Sequence, residues 1–285
     1  MPRGSLVRRR LTVAAVIGLS VSGLSSDLWS QAAAATLQQE RGDLAMWLAE
    51  APLSPFAAIA LHPIGSGLTI GAGSAEIPLA EFGQGTVKEE NGLAVLTLDG
   101  RRRALPRGRP VVVGRYTLLT AGARGRTTLA VFGPHQRVKR PAYYPYRGDL
   151  IFSATLDPPE RSAPFAVLGL DGLEAQAVEA GFLRIGGGAE GARLRVYRLG
   201  ESEDDEAALF IFFQDPTNGE GSYPGGRFVE LVPQSGGSYQ LDFNRARNPF
   251  CAYSTVFPCP APWPGNRLTA PIPAGERYPD SLEGR

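Results

Sequence analysis

From residue 56 onward the sequence is punctuated rather than helically periodic. Short runs rich in Val, Leu, Thr and aromatic residues recur every 8–15 residues between Gly, Pro, Asn or Asp, at 93–98, 109–113, 116–120, 127–132, 150–156, 193–199, 207–213, 228–232 and 239–243. Runs of this length and spacing read as strands. In 93–98, Leu93, Val95 and Thr97 share one face, the alternation that a half-buried strand requires. A single helical pattern precedes them, at 37–51, where Leu37, Leu44, Trp47, Leu48 and Ala51 fall on one face and Pro52 and Pro55 stop the helix. With no second long helical pattern, alternating βαβ units are excluded. The sequence therefore predicts an all-β chain of sandwich or barrel type with one short N-terminal helix.

Composition agrees with that class. Gly 35 and Pro 24 are about a fifth of the 285 residues, turn-rich against an average near 12% yet short of the roughly 25–30% of disordered chains. Hydrophobic residues at 43% are enough for a real core, and 29 basic residues against 28 acidic leave no basic stripe for a nucleic acid.

The first 35 residues read as an address. Arg3 and Arg8, Arg9 and Arg10 make a positive region and residues 11–24 a mostly apolar one, and the alanine run 32–35 offers a small-residue cleavage site. Fourteen apolar residues are too few to cross a bilayer, which takes roughly 20. Cleavage is expected after Ala35, against the alternative of an uncleaved anchor. The expected product is a periplasmic or extracellular protein with no transmembrane span. No cysteine lies near the cleavage site, so it is expected not to be lipidated. The remaining order is a helix and linker at 36–55, an N-terminal β region at 56–160 and a C-terminal β region at 161–285, with a boundary in the Pro-rich stretch 157–164.

Several motifs fail on context. Gly186–Gly191 matches G-x-G-x-x-G, but 193–197 reads as a strand where a dinucleotide site needs a helix, so a hairpin loop is expected. His62 and His135 have no Cys or carboxylate at ligand spacing, so neither a metal nor a cofactor is expected. The acidic run 201–206 reads as a solvated loop rather than a calcium site, and the arginines at 101–103, 107 and 109 as a solvated hairpin rather than an anion site. Cys251 and Cys259, eight residues apart, read in an exported chain as a structural disulfide ahead of a pair of reduced thiols. Closing so small a loop contributes about 2.5 kcal/mol.

The C-terminal third reads Phe213-Gln214-Asp215-Pro216-Thr217-Asn218-Gly219, then Ser222-Tyr223 and Gly225-Gly226-Arg227. It continues through Asp242-Phe243-Asn244-Arg245-Ala246-Arg247-Asn248-Pro249, Cys251-Ala252-Tyr253, Cys259-Pro260, Asn266-Arg267-Leu268 and Ala274-Gly275-Glu276. This segment, 213–276, resembles the bacterial secreted and lipoprotein family catalogued as domain of unknown function 1684. The chain departs from that pattern at Ser222, Arg247 and Phe250, where the family usually has Thr, Tyr and Pro. The resemblance implies a family and an exported location but no activity.

The same residues support two accounts. In one, Asp215, Thr217, Asn218, Asn244 and Asn248 bond to backbone in turns and Arg227 pairs with Asp215 or Asp242. In the other, Asp215, Tyr223, Arg227, Asp242, Asn244, Arg245 and Tyr253 line one polar pocket whose carboxylates, guanidinium groups, amides and phenols suit a glycan or a carboxylate-bearing ligand. The expected function is a non-enzymatic binding module for an envelope component, a glycan or a protein. The alternatives are a hydrolase using Asp215 and Asp242 as a carboxylate pair, and a purely structural envelope protein.

Overall fold

The computed structural model describes residues 26–123, 125–135, 138–186, 191–199 and 208–278, with side chains from residue 31 onward. The charged and apolar stretch of the expected leader, 1–24, and the acidic run 201–206 lie outside the described residues. Helix α1 spans Ser26–Glu50, so it begins eleven residues before the predicted start. Four alanines at 32–35 and the absence of Gly and Pro between Ser26 and Gly42 let the helix run through the expected cleavage point. Its docked part begins just after that point, at Leu37, which is buried together with Leu48. Pro52 prevents its continuation. Ser54 then turns the chain, donating to the Leu48 carbonyl at 2.5 Å and accepting from the Phe56 amide at 3.2 Å. No helix among the described residues is long and apolar enough to cross a membrane.

Nine strands follow: β1 (Ala58–Pro63), β2 (Leu68–Gly71), β3 (Ile77–Pro78), β4 (Gly85–Glu90), β5 (Leu93–Leu98), β6 (Arg101–Leu105), β7 (Val111–Val113), β8 (Tyr116–Ala121) and β9 (Thr128–Phe132). They form a four-stranded sheet, β1-β9-β8-β7, and a five-stranded sheet, β3-β2-β4-β5-β6. The two sheets close on one core that includes Ile70, Val87, Leu96, Leu118, Leu129 and Val131. Asn91-Gly92 and Asp99-Gly100, all four at positive φ, make the two-residue turns on either side of β5. The inward face of β5 carries Ala94 and Leu96, while Leu93 is exposed. Arg101, Arg102 and Arg103 are exposed along the edge strand β6, where charge discourages pairing with another sheet.

The C-terminal region supplies β10 (Ala142–Tyr143), β11 (Ile151–Ala154), β12 (Leu156–Asp157), β13 (Phe165–Leu168), β14 (Glu174–Ile185), β15 (Ala192–Leu199), β16 (Leu209–Phe213), β17 (Arg227–Pro233), β18 (Tyr239–Asp242) and β19 (Glu276–Arg277). Eight of these form one nearly closed, barrel-like sheet in the order β11-β18-β17-β16-β15-β14-β12, with β13 also on β14. The Pro-rich stretch 157–164 thus joins two strands that both pair with β14. The pairing of Ile185 with Ala192 makes β14 and β15 a hairpin, so a strand, not a helix, follows the Gly-rich loop.

Alternation sorts the side chains by face. Ile211, Phe213, Val229 and Leu241 fill the interior, while Phe212, Phe228, Tyr197 and Trp263 pack on the other face. A third apolar cluster joins the two regions: Ala57, Ala58, Ala130 and Phe132 meet Leu173, Phe250 and Phe257, with Trp47 of α1 packed against them. The short β10–β19 ribbon sets Tyr143 directly opposite Glu276.

Candidate functional site

The seven candidate residues fall into four places. Asp215 closes the turn after β16: its Oδ2 accepts from the Thr217 amide at 3.1 Å, the Thr217 hydroxyl at 2.8 Å and the Ile272 amide at 2.7 Å. Arg227, at the start of β17, donates through Nη2 to Asp215 Oδ1 and to the Ile272 carbonyl, each at 2.9 Å, and through Nη1 to the Ala274 carbonyl at 2.5 Å. Neither side chain is exposed, and burial pushes the Arg227 guanidinium below its ordinary value. The pair fastens the 272–274 segment to the sheet. Asp242 belongs to a different hydrogen-bond network, described below, so the carboxylate pair of the hydrolase alternative is not assembled. With Oδ2 holding three donors and Oδ1 the guanidinium, Asp215 has no free face for a nucleophile.

Tyr223 lies apart, its hydroxyl 3.2 and 3.0 Å from the sulfurs of Cys251 and Cys259. These two cysteines are bonded to one another, with their Cα atoms 5.4 Å apart, inside the usual range. Tyr253 is half-buried, its ring edge-on to Phe56 at 5.6 Å, and donates its hydroxyl to Glu276 Oε1. Burial raises the Tyr253 phenol well above its ordinary value, reinforced by the Glu276 charge.

Asp242, Asn244 and Arg245 form the fourth place. Asp242 ends β18 and accepts at Oδ1 from the Asn244 amide (2.9 Å) and side chain (2.8 Å), and at Oδ2 from Arg245 Nη1 (2.8 Å). Asn244 also exchanges a pair of 2.8 Å bonds with the Arg147 backbone. Arg245 continues outward to grip both carboxylate oxygens of Glu40 on α1, at 2.8 and 2.9 Å. That bond, outweighing burial, holds the Arg245 guanidinium above its ordinary value. Here α1 lies over the outer face of the sheet and leaves a cavity of about 430 Å³. Leu37, Leu44 and Trp47 line it from the helix, and Phe210, Phe228 and Val232 from β16 and β17. Charged groups on its wall are Glu40, Arg41, Asp43, Glu230, Arg245 and Arg247, beside Tyr143.

Four residues at or behind this wall were not among the sequence candidates: Arg41, Tyr143, Arg247 and Glu276. Arg41 stacks on the Tyr143 ring, 4.2 Å from its centroid. Glu276 is 1% exposed and takes the Asn248 amide at 2.8 Å on its second oxygen. Desolvation raises its carboxyl from 4.5 to about 7, against the lowering effect of the Tyr253 and Asn248 bonds and the Arg247 and Arg227 charges. Gly275 makes this placement possible: at φ +77°, a Cβ there would stand 2.7 Å from the Ala246 and Phe243 carbonyls. One signal for Glu276 was present, since it closes the Ala-Gly-Glu end of the segment that carried the resemblance. No group of three or more His, Cys, Asp or Glu suited to a metal ion occurs among the described residues.

Residues 138–277 match the family described as a protein of unknown function, DUF1684. The chain belongs to that family. It is also similar to an uncharacterized protein of Haloarcula marismortui solved in solution by NMR, at 33% identity and a TM-score of 0.43, over 51% of this chain and 79% of that one. Among curated proteins, no sequence matches.

Proposed function

We propose that the protein is an exported, non-enzymatic binding module for an envelope glycan, held in the cavity between α1 and the C-terminal sheet. The observation that carries this reading is the make-up of the cavity wall. Trp47, Tyr143, Phe210 and Phe228 supply aromatic surface beside the guanidinium groups of Arg41 and Arg247, a pairing of flat apolar faces with hydroxyl-binding groups that suits a sugar ring. The volume of about 430 Å³ falls within the roughly 300–1,000 Å³ of small-ligand sites. A partner protein would instead need about 800 Å² of complementary surface on each side. Export rests on the charged, apolar and small-residue order of residues 1–35. The hydrolase alternative loses its nucleophile to the Arg227 clamp.

Tryptophan fluorescence tests the reading. Titration of the purified protein with envelope oligosaccharides, including peptidoglycan fragments, is expected to shift its emission, with the shift lost in Trp47→Phe. A saturating fragment also raises the thermal midpoint, because a ligand at 100 times its dissociation constant stabilises by about 2.7 kcal/mol. If no oligosaccharide moves either signal, the glycan reading falls.

A further inference from the structure

The donors around Tyr143 point to the charge of that ligand, an inference that rests on the glycan reading above. Three guanidinium groups reach the cavity wall, and they differ in what they are bonded to. Arg245 is committed, bidentate to Glu40 and bonded to Asp242. Glu40 is thereby occupied, and Asp43 accepts the Gln39 side chain at 2.9 Å. Among the described residues neither Arg41 nor Arg247 stands in an ion pair. Arg41 Nη2 makes one bond of 3.3 Å, to the Asn244 carbonyl, and its Nε is buried with no partner. The Nε of Arg247 and the hydroxyl of Tyr143 are also buried without a partner.

Seven buried side-chain polar atoms among the described residues lack a hydrogen bond, and three of them belong to these neighbours on one wall. The three are donors, or, for the phenol, able to donate. Such groups are rarely left unmade in a folded protein, and each calls for an explanation. Arg41 lies on the Tyr143 ring, and the Arg247 charge reaches the same phenol. Burial lowers the Arg41 guanidinium from its ordinary value, opposed by Tyr143, Asp242 and Glu40, yet a guanidinium stays protonated in a protein. Glu276, opposite Tyr143 on the β10–β19 ribbon, is a carboxyl whose charge acts on that phenol, and its oxygens already accept from Tyr253 and Asn248.

We propose that the Arg41–Tyr143–Arg247 corner binds the oxyanion of an acidic sugar, a carboxylate such as that of a uronic acid. A planar guanidinium matches a carboxylate through two parallel bonds, and on the cavity wall a charge-assisted bond is about twice as strong as a neutral one. The aromatic surface then takes the sugar ring while the two arginines take its charge.

Calorimetric titration of the full-length protein with trigalacturonate, its methyl ester, maltotriose and a maltose phosphate tests this. The ester keeps the sugar rings and hydroxyls of the acid and replaces each charged carboxylate by a neutral group one methyl larger. The acid is expected to bind at least tenfold more tightly than the ester, and the advantage to vanish in Arg247→Gln and return in part in Arg247→Lys. The Arg247 side chain makes no hydrogen bond or ion pair among the described residues, so both variants should stay folded, and Arg247→Lys, which keeps the charge facing Glu276, should keep the wild-type thermal midpoint. Equal affinity for acid and ester overturns this proposal and leaves the glycan reading standing. Binding of the phosphate with none of the galacturonate overturns the carboxylate assignment. Failure of all four sugars to bind the wild-type protein overturns this proposal, and failure of the peptidoglycan fragments as well overturns the glycan reading.

Discussion

The Asp215 carboxylate and the Arg227 guanidinium meet at 2.9 Å, with neither side chain exposed to solvent. Around them converge the β16 end, the β17 start and the 272–274 segment, whose backbone amide and carbonyls complete both groups. Removing one member of such a pair leaves a buried charge without compensation, at a cost of about 3–5 kcal/mol. Arg227→Met is expected to lower the stability measured by urea unfolding by that amount. Added salt should leave the wild-type contribution nearly unchanged, since buried pairs are little screened. A loss below about 1 kcal/mol would mean that the pair is hydrated rather than sealed.

Glu276 makes stability depend on pH in an unusual direction for a carboxylate. Its carboxyl is raised from 4.5 to about 7 in the fold. Below about 4.5 folded and unfolded chains both hold the proton. Between 4.5 and about 7 the unfolded chain has ionised while the folded one keeps its proton, so this group's contribution falls as pH rises. Above about 7 the loss is complete and level, and amounts to roughly 3 kcal/mol. In Glu276→Gln that slope is absent, so the stability of the variant relative to wild type climbs from pH 4.5 to pH 7.5. Urea unfolding at four pH values in this range measures the difference, and parallel curves for the two proteins would refute the assignment.

Much of the fold was legible because it is local. Strand runs alternate, and Asn91-Gly92 and Asp99-Gly100 mark their turns in two residues each. The Asx turn at Asp215 and Thr217 was legible for the same reason. The start of α1 was not, because nothing in residues 26–36 breaks a helix. The site was legible only in part. Nearness in sequence suggested one pocket for all seven candidates, but the chain folds Asp215 and Arg227 into a sealed clamp and carries Tyr223 to the disulfide. The contacts that do make the cavity are distant: Glu40 meets Arg245 across 205 positions, and Tyr143 faces Glu276 only through the β10–β19 ribbon. No periodicity encodes such pairings, so Arg41 and Tyr143 carried no mark of their role, and Glu276 only its place at the Ala-Gly-Glu end of the segment that carried the resemblance.

The Glu40–Arg245–Asp242 chain predicts an asymmetry between its two ends. Glu40 is 45% exposed, Arg245 29% and Asp242 6%. An exposed pair contributes about 0.2–1 kcal/mol, so Glu40→Gln is expected to cost less than 1 kcal/mol. Arg245→Ala removes the same bond and also strips a donor from the buried Asp242, which raises the cost to about 1.5–3 kcal/mol. In the double variant, Glu40→Gln should add almost nothing, because its partner is already gone. Hydrogen exchange gives the structural counterpart: α1 amides should exchange faster in either single variant, since this bond and the Arg41 contacts are what tie the polar side of the helix to the sheet. If the two substitutions prove additive and α1 exchange is unchanged, the helix is held by Leu37, Leu48 and the Trp47–Phe250 contact alone, and the charged wall of the cavity plays no part in docking it.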